Sequence, residues 1–378
     1  MRVLVTGATS LLGRSLVERL VSRGDSVSVL QRRPSGLTVT EHLGDIVEPQ
    51  AVRESTEGAD AVVHVAARVA VSGRWAEFEA VNVQGTKNVV RAAQAAGVRR
   101  FVYVSSPSVA YHGESLVGAP AESADPARAR GHYARSKARA ELVALAANSS
   151  AMAVVAVRPH LVWGPGDTQL VGRIVERARA GRLATVGTGG ALIDTTYIDN
   201  AADALVAALD RAPELGGRAF VVTNGEPRPV RELLNRIVVS AGLEPTRTRV
   251  PYQVARGGGL IAERIWERRG SGEDPPMTSF LAEQLGTAHW FDQRETRAAL
   301  GWEPKVKLAQ GFEQLKAWFE DQGRPVELRL ITGASRRCLS SRVAEQANVA
   351  SRISRPASLL VRMPRGLSHA WNGSTLWF

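Results

Sequence analysis

One cysteine, Cys338, stands among 378 residues, so the chain has neither a disulfide framework nor a thiol-rich metal site. The seven histidines fall in no ligand-like spacing, so no metal is expected. No apolar run approaches the roughly 18 residues that span a bilayer, so no transmembrane segment is expected. Met1 leads directly into RVLVTGATS, without the charged, apolar and small-residue regions of a secretory leader, and a cytoplasmic protein is expected. Acids are scarce at the far end. Residues 326–378 hold eight arginines, no lysine and two glutamates, which accounts for +6 of the formal charge of +11. No nucleic-acid recognition motif accompanies this basic segment, so nucleic acid is not expected as a partner, and the segment reads as a disordered or nonnative tail.

What is present is an alternation. At 44% apolar content the chain can bury a large core, and its length suits about two domains of ~150 residues. RVLVT (2–6) is an apolar strand, and residues 11–24 follow it with helical spacing at Leu12, Leu16 and Leu20. DSVSVL (25–30), AVVHVAA (61–67), FVYVSS (101–106) and AVVAVRP (153–159) read as further strands; helices are expected at about 75–97 and, around YARSK, at 130–147. Continuous β-branched strands alternating with helices predict an α/β fold, a doubly wound parallel sheet covered on both faces. Domain boundaries are expected at 1–165 for a dinucleotide-binding domain, with segments at about 190–225 returning to it. A smaller, mostly helical C-terminal substrate lobe is expected over 166–325, interrupted by glycine and proline at 242–277 and ending in an amphipathic helix at about 308–321.

TGATSLLG (6–13) joins the first strand to the first helix. Glycine there permits a turn other residues resist, and the helix start offers free N–H groups and a positive dipole end to a pyrophosphate. The acid that usually holds a ribose 2′-hydroxyl after strand two is missing: LQRRPS (30–35) places Arg32 and Arg33 there, which favours the 2′-phosphate of NADPH over NADH. Two solvated arginines are the plainer alternative. Asp45, after the third strand, suits either an adenine amino group or a helix cap.

YARSK sets Tyr133 four residues ahead of Lys137, one helical turn apart. A phenol titrates near ~10, and an adjacent ammonium that favours the phenolate would make it a usable acid at neutral pH. SSPSV (105–109) ends the fifth strand, so its hydroxyls and Tyr133 are expected together at the carboxyl edge of the sheet.

These motifs, with GDI (44–46), HVAA (64–67), NVQGTKNV (82–89), RPHLVWGPGD (158–167), DTTYIDNAADA (194–204) and LGWEPKVKLAQGF (300–312), resemble the extended short-chain dehydrogenases/reductases. The likeness is to the NAD-dependent epimerase/dehydratase and 3β-hydroxysteroid dehydrogenase group, over residues 1 to about 322. It implies a Rossmann fold, with Ser106, Tyr133 and Lys137 catalytic. It also implies cofactor contacts from Gly7, Ser10, Leu11, Gly13, Arg32, Arg33, Asp45, Ile46, Ala66, Asn82, Tyr133, Lys137 and Pro159. The family's middle glycine of TGxxGxxG is Ser10 here, a side chain that crowds the pyrophosphate and whose hydroxyl is positioned to donate to a phosphate oxygen.

A finer likeness lies in the variable half. RPHLVWGPGDTQLVGRI, TNGEPRPVRELLN (223–235) and GEDPPMTSFLAEQLGTAHWF (272–291) are similar to 2-alkyl-3-oxoalkanoate reductases of bacterial olefin biosynthesis. The likeness implies NADPH-dependent reduction of a long-chain 2-alkyl-3-oxoacid, alongside other olefin-pathway enzymes, and leaves homo-oligomerisation open. His160 and Trp163 are candidate substrate-pocket residues, and Leu260, Ile261, Ile265, Trp266, Phe280 and Leu281 a candidate trough for alkyl chains, with ordinary packing the alternative. The rival functions are a 3β-hydroxysteroid-type dehydrogenase, an NDP-sugar epimerase and a non-enzymatic dinucleotide sensor.

Overall fold

A computed structural model describes residues 1–70, 73–269 and 278–322 of the chain; the basic segment 326–378 lies outside these. The first five strands are β1 (Arg2–Thr6), β2 (Ser26–Gln31), β3 (Thr40–Leu43), β4 (Ala61–His64) and β5 (Arg100–Val104). β6 (Leu116–Ala119) leaves the central sheet; β7 (Ala153–Pro159) and the strand Ala219–Val222 complete it. The order is Ala219–Val222, β7, β5, β4, β1, β2, β3, with every pairing parallel. The order reverses direction at β1 and β4, and in such sheets the crevice above that switch point is where ligands bind.

Period-two side-chain alternation sorts the core into two layers. Val3 and Val5 of β1 pack with Leu12, Leu16 and Leu20 of α1 (Leu11–Ser22) and with the helix Ile198–Leu215. Leu4, between them, faces the other way and joins Val52 of α2 (Pro49–Thr56). A third helical stretch then runs through α3 (Trp75–Phe78), a π-helix at Glu79–Gly85 and α4 (Thr86–Ala95), whose Val89 and Val90 join Leu4. Ala140 and Ala144 of α5 (Gly131–Leu145) reach the same layer. A sheet buried on both faces needs apolar residues at every position, and each buried Val or Leu side chain contributes about 1.5–3 kcal/mol.

Three local expectations change. β4 stops at His64 rather than residue 67, because its partner β1 ends at Thr6 and turns at Gly7, leaving Val65 N–H to make the last bond of the ladder to the Thr6 carbonyl. The expected helix at 75–97 is one continuous helical run, widened to π geometry in its middle, and such bulges concentrate at functional sites. The expected interruption at 242–277 instead contains the helix Tyr252–Arg269. Its Gly259 allows close approach to the next helix: a Cβ there would sit 2.5 Å from the amide nitrogen of Ser279.

Outside the central sheet lie short strands with no place in it. The strand His289–Phe291 pairs in parallel with β6 and with Leu192–Ile193, which carries Arg228–Pro229 on its other side. These join segments from four parts of the chain in a second small sheet. Among the described residues no helix is long and apolar enough to cross a membrane.

Candidate active site

The β1–α1 turn is held by its own residues. Gly7 has φ +78, and a Cβ on it would lie 2.7 Å from Ala66 N; a Cβ on Gly13 would lie 2.3 Å from the carbonyl oxygen of Gly7. Ser10 has an ordinary extended backbone and caps α1, accepting from Gly13 N–H at 3.0 Å and donating to the Gly7 carbonyl at 2.9 Å. The Ser10 hydroxyl proton is thus directed at the Gly7 carbonyl within the turn itself. The first-turn N–H groups of Leu11 and Leu12 have no intrahelical acceptor, and both residues line a cavity of about 670 Å³. A turn too tight for a side chain at Gly7, opening a 12-residue helix toward that cavity, fits the pyrophosphate of a dinucleotide.

The second-strand end is more complicated than its sequence. Gln31 closes β2 where an acid would hold a ribose, and Arg32 is exposed, 4.0 Å from Asp45. Arg33 is exposed. Pairing of β2 with β3, however, brings Glu41 alongside: it accepts from Gln31 Nε2 at 3.3 Å, from Ser35 N–H at 3.0 Å and from the Ser35 hydroxyl. The absence of a neighbouring acid holds in sequence and not in space. Asp45 caps its own turn by accepting from Val47 N–H at 3.2 Å.

Several expected contacts are engaged inside the fold. Ile46 is buried under α4, where a Cβ on Gly85 would meet it at 2.7 Å. Asn82, in the π-helix, accepts from Arg68 N–H at 2.7 Å and donates to the Arg68 carbonyl and the Ser136 hydroxyl. It ties the loop after β4 to α5. Ala66 N–H donates to Thr6 Oγ1 at 3.2 Å, setting that loop beside Gly7.

At the carboxyl edge the catalytic candidates converge. Ser105, Ser106, Tyr133, Lys137, Pro159 and His160 all line the same cavity as Leu11. Ser106 follows β5 and caps a short 3-10 turn, with its Oγ 2.9 Å from the Ser108 hydroxyl. Tyr133 and Lys137 share one face of α5, as the four-residue spacing requires. The electrostatics differ from expectation. Burial pushes the Tyr133 phenol up to about 12, opposed by the Ser106 hydroxyl, and burial pulls Lys137 down to about 7, opposed by Glu141. Lys137 Nζ donates to the Val104 carbonyl at 2.6 Å and lies 4.2 Å from the centre of the Tyr103 ring. Burial therefore dominates the phenol, and the Ser106 hydroxyl is what opposes it.

α5 is itself fixed from behind. Glu141, one further turn along, accepts from Arg158 Nε at 2.8 Å, and both side chains are 1% exposed. This buried pair pins the tyrosine helix to β7, immediately before Pro159 and His160.

The substrate side departs most from the sequence reading. Trp163 is packed, 1% exposed, stacked on Phe312 at 4.5 Å and donating to Thr195 Oγ1, so it is not on the cavity wall. Leu260, Ile261 and Ile265 are exposed and Leu281 is buried, so they do not form one trough; Trp266 lies where no side chain is described. Tyr111, Gln284 and His289 line the cavity and were not singled out in the sequence. No local pattern marks them: pairing with β6 brings His289 there, Tyr111 follows the 3-10 turn after β5, and Gln284 comes from the helix Ser279–Gly286.

Residues 4–252 match the 3-beta hydroxysteroid dehydrogenase/isomerase family. The chain belongs to that family. It is an extended short-chain dehydrogenase/reductase and an NAD(P)-dependent oxidoreductase, with the Rossmann-like sheet described above. The 2-alkyl-3-oxoalkanoate reductase of Stenotrophomonas maltophilia is 41% identical over 326 residues, covering 84% of this chain and 99% of that protein. The protein of that name from Shewanella oneidensis is 37% identical over 328 residues, covering 83% and 85%. In structure, a Thermus thermophilus UDP-glucose 4-epimerase in complex with NAD aligns with a TM-score of 0.63 at 24% identity, covering 85% of this chain and 99% of that one. That likeness carries the fold alone. The family relationship and the reductase relatives support a ketoreductase role.

Proposed function

We propose that the protein reduces the 3-keto group of a long-chain 2-alkyl-3-oxoalkanoate with NADPH, a step toward long-chain olefins. The observation that carries this reading is the cavity in which Ser106 and Tyr133 meet the open start of α1, in a chain that aligns with 99% of the length of the Stenotrophomonas reductase. When bound, the nicotinamide dinucleotide supplies the hydride. Its pyrophosphate would be held by the first turn of α1, and its ribose by Lys137.

The residues of the chain account for the proton and the oxygen. A phenol pushed up to about 12 remains protonated at neutral pH, which suits an acid that protonates the carbonyl oxygen as it gains negative charge. Ser106, next to that phenol, donates to the same oxygen and opposes the charge developing on it. Lys137, close to half-charged at pH 7, can return a proton to Tyr133 between turnovers.

Gln31 in place of an acid, followed by Arg32 and Arg33, supports NADPH, while Glu41 is the feature that opposes it. A 3β-hydroxysteroid-type dehydrogenase is the second reading, favoured by the family that residues 4–252 match.

The test is oxidation of long-chain 2-alkyl-3-hydroxyacids, sterols and NDP-sugars with NADP+ and with NAD+, followed at the nicotinamide absorbance. The proposal expects turnover of the hydroxyacids with NADP+. Turnover of sterols alone would favour the second reading, and a clear NAD+ preference would remove the role given to Arg32 and Arg33.

A further inference from the structure

Two histidines line the cavity that holds Ser106 and Tyr133, and the mechanism above uses neither. His160 follows β7, and His289 opens the strand paired with β6. Their rings, from segments 129 positions apart in the chain, stack at 27° with ring centroids 6.1 Å apart. Both residues are buried, 6% and 2% exposed.

Hydrogen bonding fixes the tautomer of each ring. His160 Nδ1 lies 2.6 Å from the Asp194 carbonyl, which can only accept, so Nδ1 carries the hydrogen. Thr287 gives its one hydroxyl proton to the Glu283 carbonyl at 2.7 Å. Its oxygen therefore accepts from His289 Nε2–H at 2.8 Å and from the Tyr111 hydroxyl at 3.2 Å. Each neutral imidazole is left with a lone pair, on His160 Nε2 and His289 Nδ1, and neither atom has a hydrogen-bond partner among the described residues.

Two lone pairs side by side cannot satisfy each other. They need a ligand that brings a donor, and a carboxyl group arriving with a proton is such a ligand: the proton goes to an imidazole nitrogen, and the resulting N–H donates to the carboxylate. We propose that His160 and His289 form the carboxylate subsite of this cavity, holding the acid group of the 3-oxoacid as an imidazolium–carboxylate contact while Ser106 and Tyr133 hold its keto oxygen. This rests on the proposed function, whose substrate carries its carboxylate carbon, C1, two bonds from the reacting keto carbon, C3, so that one cavity lined by all four residues can hold both groups. Asp194 and Thr287 are then positioning residues, the first through its carbonyl and the second through its hydroxyl.

Burial holds both rings neutral, pulling His160 down to about 4 and His289 down to about 3. A carboxylate free in water at pH 7.5 must therefore be bound together with about one proton taken from solution. The titratable and charged groups around the pair are Tyr111, Tyr133, Lys137, Asp194 and Glu283, with Arg130 and Arg256 paired to Glu283. The methyl ester of the same acid meets all of these groups, so the difference between acid and ester isolates the carboxylate, and its loss in the two histidine variants separates the pair from Lys137.

The experiment compares a long-chain 2-alkyl-3-hydroxyacid with its methyl ester, in turnover with NADP+ and in calorimetric binding across buffers of different ionisation enthalpy. The wild type is expected to prefer the acid by about tenfold or more in kcat/KM, mostly through KM, and His160→Gln and His289→Gln to lose most of that preference. Acid binding is expected to take up about one proton at pH 7.5 and to weaken by about tenfold per pH unit above it, whereas the ester takes up none. A wild type that shows no proton uptake on binding the acid, or variants that keep the full acid preference, would overturn the subsite. If neither compound is oxidised the proposed function fails, and proton uptake on binding, measured without turnover, still decides the subsite.

Discussion

The two walls of the cavity are built by opposite means. The wall proposed for the nucleotide is largely local: Ser10 closes the turn on Gly7 and Gly13 within eight consecutive residues, 6–13, with Ala66 packed against Gly7 from outside. The substrate wall is assembled from afar: Tyr111 meets Thr287 across 176 positions, and His160 meets Asp194 across 34. A change in the first wall should act where it is made. A change in the second should move partners from other parts of the chain, because each is held by a neighbour that is itself held elsewhere.

The largest expected effect lies between the walls. Tyr133→Phe should lower turnover by ~10³-fold and leave cofactor affinity nearly unchanged, read from steady-state rates and a cofactor titration; full activity would end its role as acid. Glu141→Gln leaves Arg158 buried without its counter-charge and should cost about 3–5 kcal/mol in denaturant unfolding. A cost below 1 kcal/mol would mean that α5 does not depend on this pair.

Gly13→Ala tests the local wall. The added Cβ meets backbone 2.3 Å away, which should cost about 1–3 kcal/mol and weaken cofactor binding, while binding of the hydroxyacid product changes less. Thr287→Val tests the distant wall by leaving the Tyr111 hydroxyl and His289 Nε2–H without their shared acceptor. It should cost about 1–3 kcal/mol and raise the KM for substrate more than that for cofactor. Equal effects of these two variants on both ligands would erase the contrast between the walls. Ser10→Ala, the mildest change, removes a helix cap and should cost about 1 kcal/mol in a thermal melt.

The sheet was legible because its signals are local and repeated. β-branched runs such as AVVAV recur between helical stretches, and a buried parallel strand leaves that mark wherever it occurs. The glycine turn was legible for the same reason, as was the placing of Tyr133 and Lys137 on one helix face. The aim of Lys137 at the Val104 carbonyl was not, because spacing along a helix says nothing about which neighbour desolvates the amine. Glu41 escaped notice because it neighbours Gln31 only through strand pairing, and Trp163 was misplaced because a residue just past a strand can turn into the core as readily as toward the crevice.

The sequence by itself determined the alternation of strands and helices, the tight turn at Gly7 and the pairing of phenol and amine, since each depends on residues within one or two turns of one another. Tertiary structure alone decided the protonation of that pair, the acid beside Gln31 and the stacking of His160 on His289. Those depend on burial and on contacts between distant segments, and a chain acquires both only when its strands have paired.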